Sequence, residues 1–254
     1  MHDPLLDRRR EFLKDTIRLE MDFSQTDQNR GVDPPPIEKP FAADAVRVKL
    51  TPPGQWQRIA PVELLAAIRD RRSHRRFTRD ALTLEELSFL LWTTHGMQQR
   101  LDQGTALRTV PSAGARHALE TYLLAFRIEG LELGVYRYLP LEHELLLEFQ
   151  ESQLRRQIVE ATLRQSFIGE AAVTFVWTAV PYRMEWRYGL AAHKVIALDA
   201  GHVCQNLYLA CEAIGAGTCA VAAYHQQLMD QLVRVDGDDE FVIYLAPVGK
   251  IPTV

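Results

Sequence analysis

The sequence has little of what marks disulfide-stabilised, membrane-spanning or metal-binding proteins. Its three cysteines, at positions 204, 211 and 219, form no Cys-x-x-Cys pair, so neither a disulfide framework nor a metal site is predicted. The apolar run 171–181 contains two threonines and is too short to span a bilayer. The first ten residues are charged and lack the apolar core of a secretory signal, which predicts a cytoplasmic protein with no membrane association.

The sequence also lacks a large excess of either charge. It likewise lacks the common nucleotide-binding and hydrolase motifs. Lysine and arginine number 29 against 33 acidic residues, a net charge of −4, which argues against a general affinity for nucleic acid. No Walker loop, G-x-S-x-G or H-E-x-x-H motif occurs. Residues 215–220 match G-x-G-x-x-A, but they follow a predicted helix and open a predicted strand, which is the wrong order for a dinucleotide site.

The composition that remains is that of an ordinary globular protein, with 47% hydrophobic and 24% charged residues in a chain of 254. Residues 1–60 differ from the rest because a predicted charged amphipathic helix, 5–23, precedes a polar run and many prolines. We therefore expect an N-terminal arm over residues 1–60, lying on the body or on a partner subunit, and one domain over residues 61–254.

Hydrophobic periodicity within the body mixes helices and strands without strict alternation, which favours an α+β fold. Thr83 and Glu86 form a capping-box pattern before one of the predicted helices. The helix at 195–214 is apolar nearly all round, so we expect it to be central and to require a partner surface. The predicted helices cover residues 61–70, 84–94, 151–165, 195–214 and 226–233. The predicted strands cover residues 120–128, 135–139, 145–149, 171–180, 217–223 and 241–248.

The densest chemical signal is a run of six arginines within residues 69–79, just after a predicted helix end. Guanidinium groups suit phosphate oxygens, and Ser73 adds a hydroxyl donor. A solvated basic segment that pairs with the helix C-terminus would give the same composition, and composition leaves both interpretations open. Nucleic-acid binding is a third interpretation, although no matching basic face is evident elsewhere in the chain.

Two further patterns are weaker. Residues 108–116 are rich in small residues directly before a strand, which would allow close approach of a flat ligand, with Ser112 as a donor; an ordinary turn is the favoured interpretation without context. Asp199, His202 and Asn206 share one face of the central helix, and for them we favour a structural, hydrogen-bonded role.

Taken in order, the segments of this chain resemble the FMN-dependent nitroreductase family over residues 61–250. Within that family they are similar to the SagB-type dehydrogenase branch, which includes azoline oxidases. The segments that carry the resemblance are residues 22–31, 71–77, 111–116, 198–210 and 247–250.

The resemblance implies a three-layer α+β sandwich with a mostly antiparallel central sheet, assembled as an intertwined homodimer with FMN at the subunit interface. It also implies a ping-pong oxidoreductase that acts on a small-molecule or peptide substrate and suggests NAD(P)H as the electron donor. The cofactor residues that it implies are Arg71, Arg72, Ser73 and Arg75 for the phosphate and ribityl chain, with Lys250 as a further candidate; Pro111, Ser112, Ala113 and Gly114 for the ring, from the other subunit; and the backbone of Val221, Ala222 and Ala223.

The chain departs from the branch at the positions that match its Lys-Tyr pair, which here are Arg187 and Tyr188. We expect these two residues over the flavin face as electrostatic and hydrogen-bonding groups. Arginine stays protonated and is a poor base, so azoline oxidation is expected to be affected more than flavin binding. The alternative function is a flavin-binding protein without redox turnover that serves as a carrier or partner in a peptide-modifying complex.

Overall fold

A computed structural model describes residues 3–252. Its centre is a seven-stranded sheet in which every neighbouring pair is antiparallel, in the order β1-β6-β5-β4-β7-β9-β8. Strands β2 and β3 form a separate hairpin. The strands are β1 (Arg47–Lys49), β2 (Met97–Arg100), β3 (Ala106–Arg108), β4 (Leu119–Ala125), β5 (Gly134–Leu139), β6 (Glu144–Phe149), β7 (Val173–Ala179), β8 (Ala216–Thr218) and β9 (Phe241–Lys250).

Helices cover both faces of this sheet, and the two faces have separate cores. Alternate residues of β4 show the division, because Leu123 packs with α4 and α8 whereas Leu124 packs with α5 and α9. The result is the predicted three-layer α+β sandwich. The helices are α1 (Pro4–Glu11), α2 (Ile17–Glu20), α3 (Leu64–Asp70), α4 (Leu84–His95), α5 (Leu154–Ala161), α6 (Ser166–Glu170), α7 (Tyr182–Tyr188), α8 (Ala192–Glu212) and α9 (Gln226–Val233).

Local sequence signals account for several element bounds. The Thr83 hydroxyl accepts from the Glu86 N–H at 3.1 Å, and the Glu86 carboxylate accepts from the Thr83 N–H at 2.9 Å, so the predicted capping box begins α4. Helix α9 matches its predicted bounds. Residues 215–220 follow α8 and enter β8, as expected of a sequence that is not a dinucleotide-binding motif.

Other expectations about local structure were wrong. The segment 5–23 does not form one helix: α1 ends at Glu11, the carbonyls of Arg10 and Glu11 accept from the N–H groups of Leu13 and Lys14, and α2 begins only at Ile17. The helix predicted at 151–165 ends at Ala161, since Leu163 and Arg164 both take positive φ, and α6 follows. The strand predicted at 217–223 is reduced to β8 with an isolated bridge at Val221.

The first 60 residues and helix α8 each contribute one feature that matters for the site. The N-terminal segment contributes β1, which pairs with β6 at the edge of the main sheet. Helix α8 packs most of its length into the core but leaves Leu198 54% exposed. Within residues 3–252, no helix combines the length and the apolar character needed to cross a membrane.

Candidate functional site

The arginine loop, residues 71–79, lies along the edge of the sheet beside β8. The His74 N–H donates to the Thr218 carbonyl at 2.9 Å, and the Thr78 N–H donates to the Lys250 carbonyl at 2.8 Å. The contact is close, because a Cβ on Gly217 would lie 2.7 Å from the His74 side chain. The sheet edge therefore holds the loop in one conformation.

The charges of this loop are largely uncompensated. Arg71, Arg72, Arg75, Arg76 and Arg79 form no ion pair with any residue in the described part of the chain. Four of the five side chains are exposed, and Arg71 is half-buried. The Arg72 side chain is held at the C-terminal end of α3, because one of its nitrogens donates to the carbonyls of residues 69, 70 and 71. The remaining guanidinium groups are available to an anion.

Tyr208 of α8 connects the arginine loop to the chain after β8. Its hydroxyl lies 2.9 Å from Ser73 Oγ and accepts from the Ala220 N–H at 2.8 Å. The Arg71 guanidinium lies 5.2 Å from the centre of its ring, a cation–π distance. One side chain thus joins two segments that the sequence predicted to share a ligand.

The backbone after Ala220 has a free donor. Val221 exchanges backbone hydrogen bonds with Leu245, at 2.8 and 3.2 Å, which holds this segment on β9. Ala222 and Ala223 are exposed, and among residues 3–252 the Ala222 N–H has no acceptor. The Ala223 carbonyl accepts from Gln165 at 2.9 Å.

Lys250 lies near the loop but is already engaged. Its ammonium group donates to Glu86 Oε1 and to the Ile214 carbonyl, each at 2.5 Å. Its side chain is 23% exposed. In this conformation the lysine ties β9 to α4 and to the end of α8.

The small-residue turn, residues 111–116, lies against the N-terminal half of α8. The Ala113 N–H donates to Asp199 Oδ2 at 3.3 Å, and Ser112 Oγ accepts from the His117 N–H at 3.0 Å. Burial raises the pKa of Asp199 above its usual range, although hydrogen bonds from Ser112 and Ala113 oppose that rise. Asn206 likewise donates to the carbonyls of Thr93 and Thr109, so Asp199 and Asn206 have the structural roles expected of them.

Gly114 brings this turn into contact with the end of α7. Its φ of +60° is in the left-handed region, and a Cβ there would lie 2.7 Å from the Tyr188 hydroxyl and 2.9 Å from Arg187 Nε. Arg187 and Tyr188 are half-buried, and the Arg187 guanidinium lies 5.6 Å from the Tyr188 ring centre. The structure therefore joins the turn and the two expected active-site residues in one cluster.

Behind the turn lies a buried polar network. Arg183 donates to Glu120 Oε1 at 2.5 Å, and Arg108 lies 2.8 Å from His95 Nε2. Burial lowers the pKa of His117 to about 3, with nearby Arg108 acting in the same direction, so this histidine is neutral at physiological pH. The network supports the turn and holds its charges away from solvent.

The predicted site residues thus form two clusters on one chain. The arginine loop lies near Tyr208 of α8, and the small-residue turn lies near Asp199, nine residues earlier. At 1.5 Å per residue the two contacts are about 14 Å apart along the helix axis. The two clusters therefore contact different turns of the same helix.

Sequence reasoning missed several residues of this region. Tyr208 falls within a segment used for the family resemblance, but nothing in its apolar surroundings indicated a contact to Ser73. Helix α7 was not predicted, because its seven residues are too short for a periodic signal. Arg108 and Glu120 were assigned to a turn and to a strand, and their burial depends on contacts distant in sequence.

Comparison with known proteins identifies the class to which this fold and these clusters belong. The model of the nitroreductase family matches residues 68–250, so the chain belongs to the nitroreductase family. It is therefore an oxidoreductase at the family level.

Particular relatives extend the comparison. A protein of Methanocaldococcus jannaschii assigned as a nitroreductase is 31% identical over 192 residues, which cover 76% of this chain and 93% of that protein. The trifolitoxin-processing protein TfxB of Rhizobium leguminosarum is 28% identical over 133 residues, 51% of this chain and 36% of that protein.

Solved structures share the fold. A nitroreductase-type crystal structure from Ralstonia eutropha superposes with a TM-score of 0.67 at 24% identity, covering 87% of this chain and 99% of that one. A chain of the Escherichia coli microcin synthetase McbBCD complex, with a truncated pro-MccB17 bound, gives a TM-score of 0.59 at 20% identity, covering 80% and 78%.

Proposed function

We propose that the chain is an FMN-dependent oxidoreductase of the nitroreductase type, which passes electrons from NAD(P)H to an acceptor in a ping-pong cycle. One observation carries the proposal. A loop held against the sheet edge presents guanidinium groups that form no ion pair within the described chain, and Arg75 in particular has no carboxylate beside it, whereas Glu212 lies near Arg71 and Arg72. Guanidinium groups of this kind are the donors that suit a flavin phosphate.

The residues fit the cofactor in chemistry and in shape. Arg71, Ser73 and Arg75 would hold the phosphate and ribityl chain, with Arg72 as a supporting charge. The free N–H of Ala222, between Val221 and Ala223, would face the ring. Lys250 would bind the phosphate only after breaking its contact with Glu86, so we expect it to contribute least to phosphate binding. Bound FMN supplies the redox chemistry, whereas the protein supplies position and electrostatics.

Two chains would be needed to complete each site. The turn at Pro111, Ser112, Ala113 and Gly114 contacts α8 about 14 Å along its axis from the arginine loop, and the family resemblance assigns this turn to the FMN ring of the other subunit, so we propose that it meets the FMN of a partner in a homodimer. The exposed Leu198 of α8 and the exposed leucines of α3, Leu64 and Leu65, give that partner an apolar surface. Sedimentation should give a dimer that loses FMN on dissociation; a monomer with stoichiometric FMN would contradict the arrangement.

Domain organisation follows the same proposal. Residues 61–254 would form the FMN-binding domain, and residues 1–60 an arm that extends its sheet through β1 and covers α7. The three cysteine thiols are buried and none is in a disulfide, which suits a reducing cytoplasm.

We place the chain in the SagB-type branch, on its sequence motifs and on its similarity to TfxB and to a chain of the microcin synthetase complex. Arg187 and Tyr188 would act at the substrate face. Azoline oxidation requires removal of a proton from carbon, and a guanidinium group is a poor base for that step. We therefore propose NAD(P)H-driven reduction without conversion of thiazolines to thiazoles.

A second candidate function comes from the same two relatives, one named for trifolitoxin processing and the other part of a microcin synthetase complex. In it the chain would bind flavin without turnover and act as a carrier or partner in a peptide-modifying complex. This function predicts FMN binding together with negligible NAD(P)H oxidation.

One experiment separates these functions. The purified protein is examined for a flavin absorption spectrum, the released chromophore is identified by mass, and NAD(P)H oxidation is followed with a nitroaromatic or quinone acceptor. Steady turnover supports the oxidoreductase, and FMN without turnover supports the carrier. Absence of flavin after incubation with FMN contradicts both. A thiazoline peptide, tested alongside, should remain unchanged.

A further inference from the structure

We propose that the N-terminal arm forms part of the site, where Arg18 and Arg187 both lie close to the Tyr188 ring and together bind an oxyanion of the substrate or donor. This inference rests on the proposed oxidoreductase function and names the chemistry that its substrate face recognises. It assigns a recognition role to a segment that lies outside the residues matched by the family model.

The arm is anchored on the helix that carries Arg187 and Tyr188. The anchoring contacts involve both backbone and side chains: Gln28 N–H to the Trp186 carbonyl at 2.9 Å, Trp186 Nε1–H to the Val32 carbonyl at 2.9 Å, and the Tyr182 hydroxyl to Asp27 Oδ2 at 2.8 Å. Trp186 is buried, so the two bonds that it makes are partly shielded from water, whereas the bond between Tyr182 and Asp27 is exposed. The arm and α7 therefore form one surface.

Arg18 of α2 lies on that surface next to Tyr188. Its guanidinium carbon is 5.7 Å from the Tyr188 ring centre, and that of Arg187 is 5.6 Å from the same centre. Asp15 orients Arg18 through an ion pair of 2.8 Å to Nε, which leaves the two terminal nitrogens of the guanidinium for other acceptors. Stacking on Phe23, at 6.0 Å, further restricts the side chain.

The charge around Tyr188 is unbalanced. Arg187 has no ion pair within residues 3–252, and the acidic side chain of its own helix, Glu185, lies 2.8 Å from His193 Nε2. The Tyr188 hydroxyl adds a donor close to Gly114. Two planar guanidinium groups and a phenol suit a planar carboxylate or a phosphate oxygen.

Such an oxyanion has two sources in this reaction class. It is either a carboxylate on the substrate or a pyrophosphate oxygen of the nicotinamide donor. Benzoate with its neutral isostere benzamide represents the first source, and ADP-ribose with adenosine represents the second.

The test is calorimetric titration of these four probes into the purified protein, with its FMN content recorded. The variants are Arg18→Gln and Arg187→Gln, and the matched control is Arg9→Gln, an exposed arginine of the same arm with no contact to α7. We expect each site variant to lose about tenfold in affinity for at least one anion, with the neutral probes and the control unchanged. Arg18→Lys, which keeps the charge, should recover part of the loss.

The outcomes separate the inference from the proposed function. A loss confined to benzoate assigns the oxyanion to the substrate, and a loss confined to ADP-ribose assigns it to the donor; either supports the inference. Unchanged anion affinity in Arg18→Gln, or an equal loss in Arg9→Gln, overturns it. A protein that takes up no FMN yet loses anion affinity in both site variants overturns the proposed function and leaves this inference standing.

Discussion

Two groups of arginines in this chain have opposite surroundings. The arginine loop carries five that are exposed or half-buried and unpaired with carboxylates in the described residues, whereas Arg108, Arg116, Arg137 and Arg183 are each at least nine-tenths buried. Arg137 donates to Glu148 at 2.7 Å and to the carbonyls of Lys39 and Pro40 at 2.8 and 3.2 Å. The protein supplies acceptors for most of the buried guanidinium nitrogens, whereas the guanidinium groups of the loop, apart from that of Arg72, have no hydrogen-bond acceptor in the described residues.

This difference shows that the partners of a residue, and not its type, indicate its function. A buried guanidinium with carbonyl and carboxylate acceptors fixes geometry, here by fastening residues 37–40 to the sheet through Arg108 and Arg137. An exposed guanidinium without acceptors contributes little to stability and keeps its charge for binding. Substitutions in the two groups should therefore change different measurements.

The largest expected effect is on the buried group. Glu120→Gln would leave Arg183 and Arg137 without their buried carboxylate, and loss of one partner of such a pair costs about 3–5 kcal/mol in the free energy of unfolding. Urea denaturation measures the change. The control, Glu144→Gln, breaks a more exposed pair with Arg47 at 3.0 Å and should cost less than about 1 kcal/mol. If the two variants lost the same free energy of unfolding, the buried pairs would be no more important for stability than the exposed one.

Arg75→Gln tests the exposed group. Removal of one charge-assisted phosphate contact should weaken FMN binding by roughly 2 kcal/mol, about thirtyfold, with no change in urea stability. Riboflavin, which lacks the phosphate, should bind equally to the variant and the parent protein. Arg76→Gln is the matched control, an exposed arginine of the same loop outside the predicted phosphate set. The phosphate assignment fails if the parent protein binds riboflavin as tightly as FMN.

The buried carboxyl group of Glu38 gives a pH-dependent prediction. Burial raises its pKa to about 7, despite a hydrogen bond from the Leu141 N–H. A raised pKa means that its contribution to stability is complete below the unfolded pKa of about 4.5 and is lost as the pH rises through 7. Glu38→Gln should therefore be more stable than the parent by roughly 1–2 kcal/mol at pH 8 and nearly equal at pH 4.5. Denaturation curves at the two pH values check the sign; greater stabilisation at pH 4.5 would contradict it.

The same contrast explains how much could be predicted from the sequence. Strands such as β7 and the helices α4 and α9 follow from local periodicity and capping, and the arginine loop was evident as a dense run just after a predicted helix. The buried arginines were not predictable, because Glu120 and Arg183 are 63 residues apart and Arg137 and Lys39 are 98 apart. Helix α7 and strand β1 are too short for a periodic signal, and tertiary contacts determine both.

The smallest expected effect concerns Tyr208, which joins the arginine loop to the rest of the site. Tyr208→Phe removes the hydroxyl contacts to Ser73 and to the Ala220 N–H. Ser73 is exposed and Ala220 only half-buried, so water replaces much of the loss and the free energy of unfolding should fall by only about 1 kcal/mol. FMN affinity should fall severalfold as well, because the loop loses the group that positions it. Tyr136→Phe, which removes a bond of 3.0 Å to the Glu132 carbonyl away from the site, should lower stability similarly and leave FMN affinity intact. If the two variants shift FMN affinity alike, Tyr208 is an ordinary packing residue, and the exposed arginines hold their geometry without it.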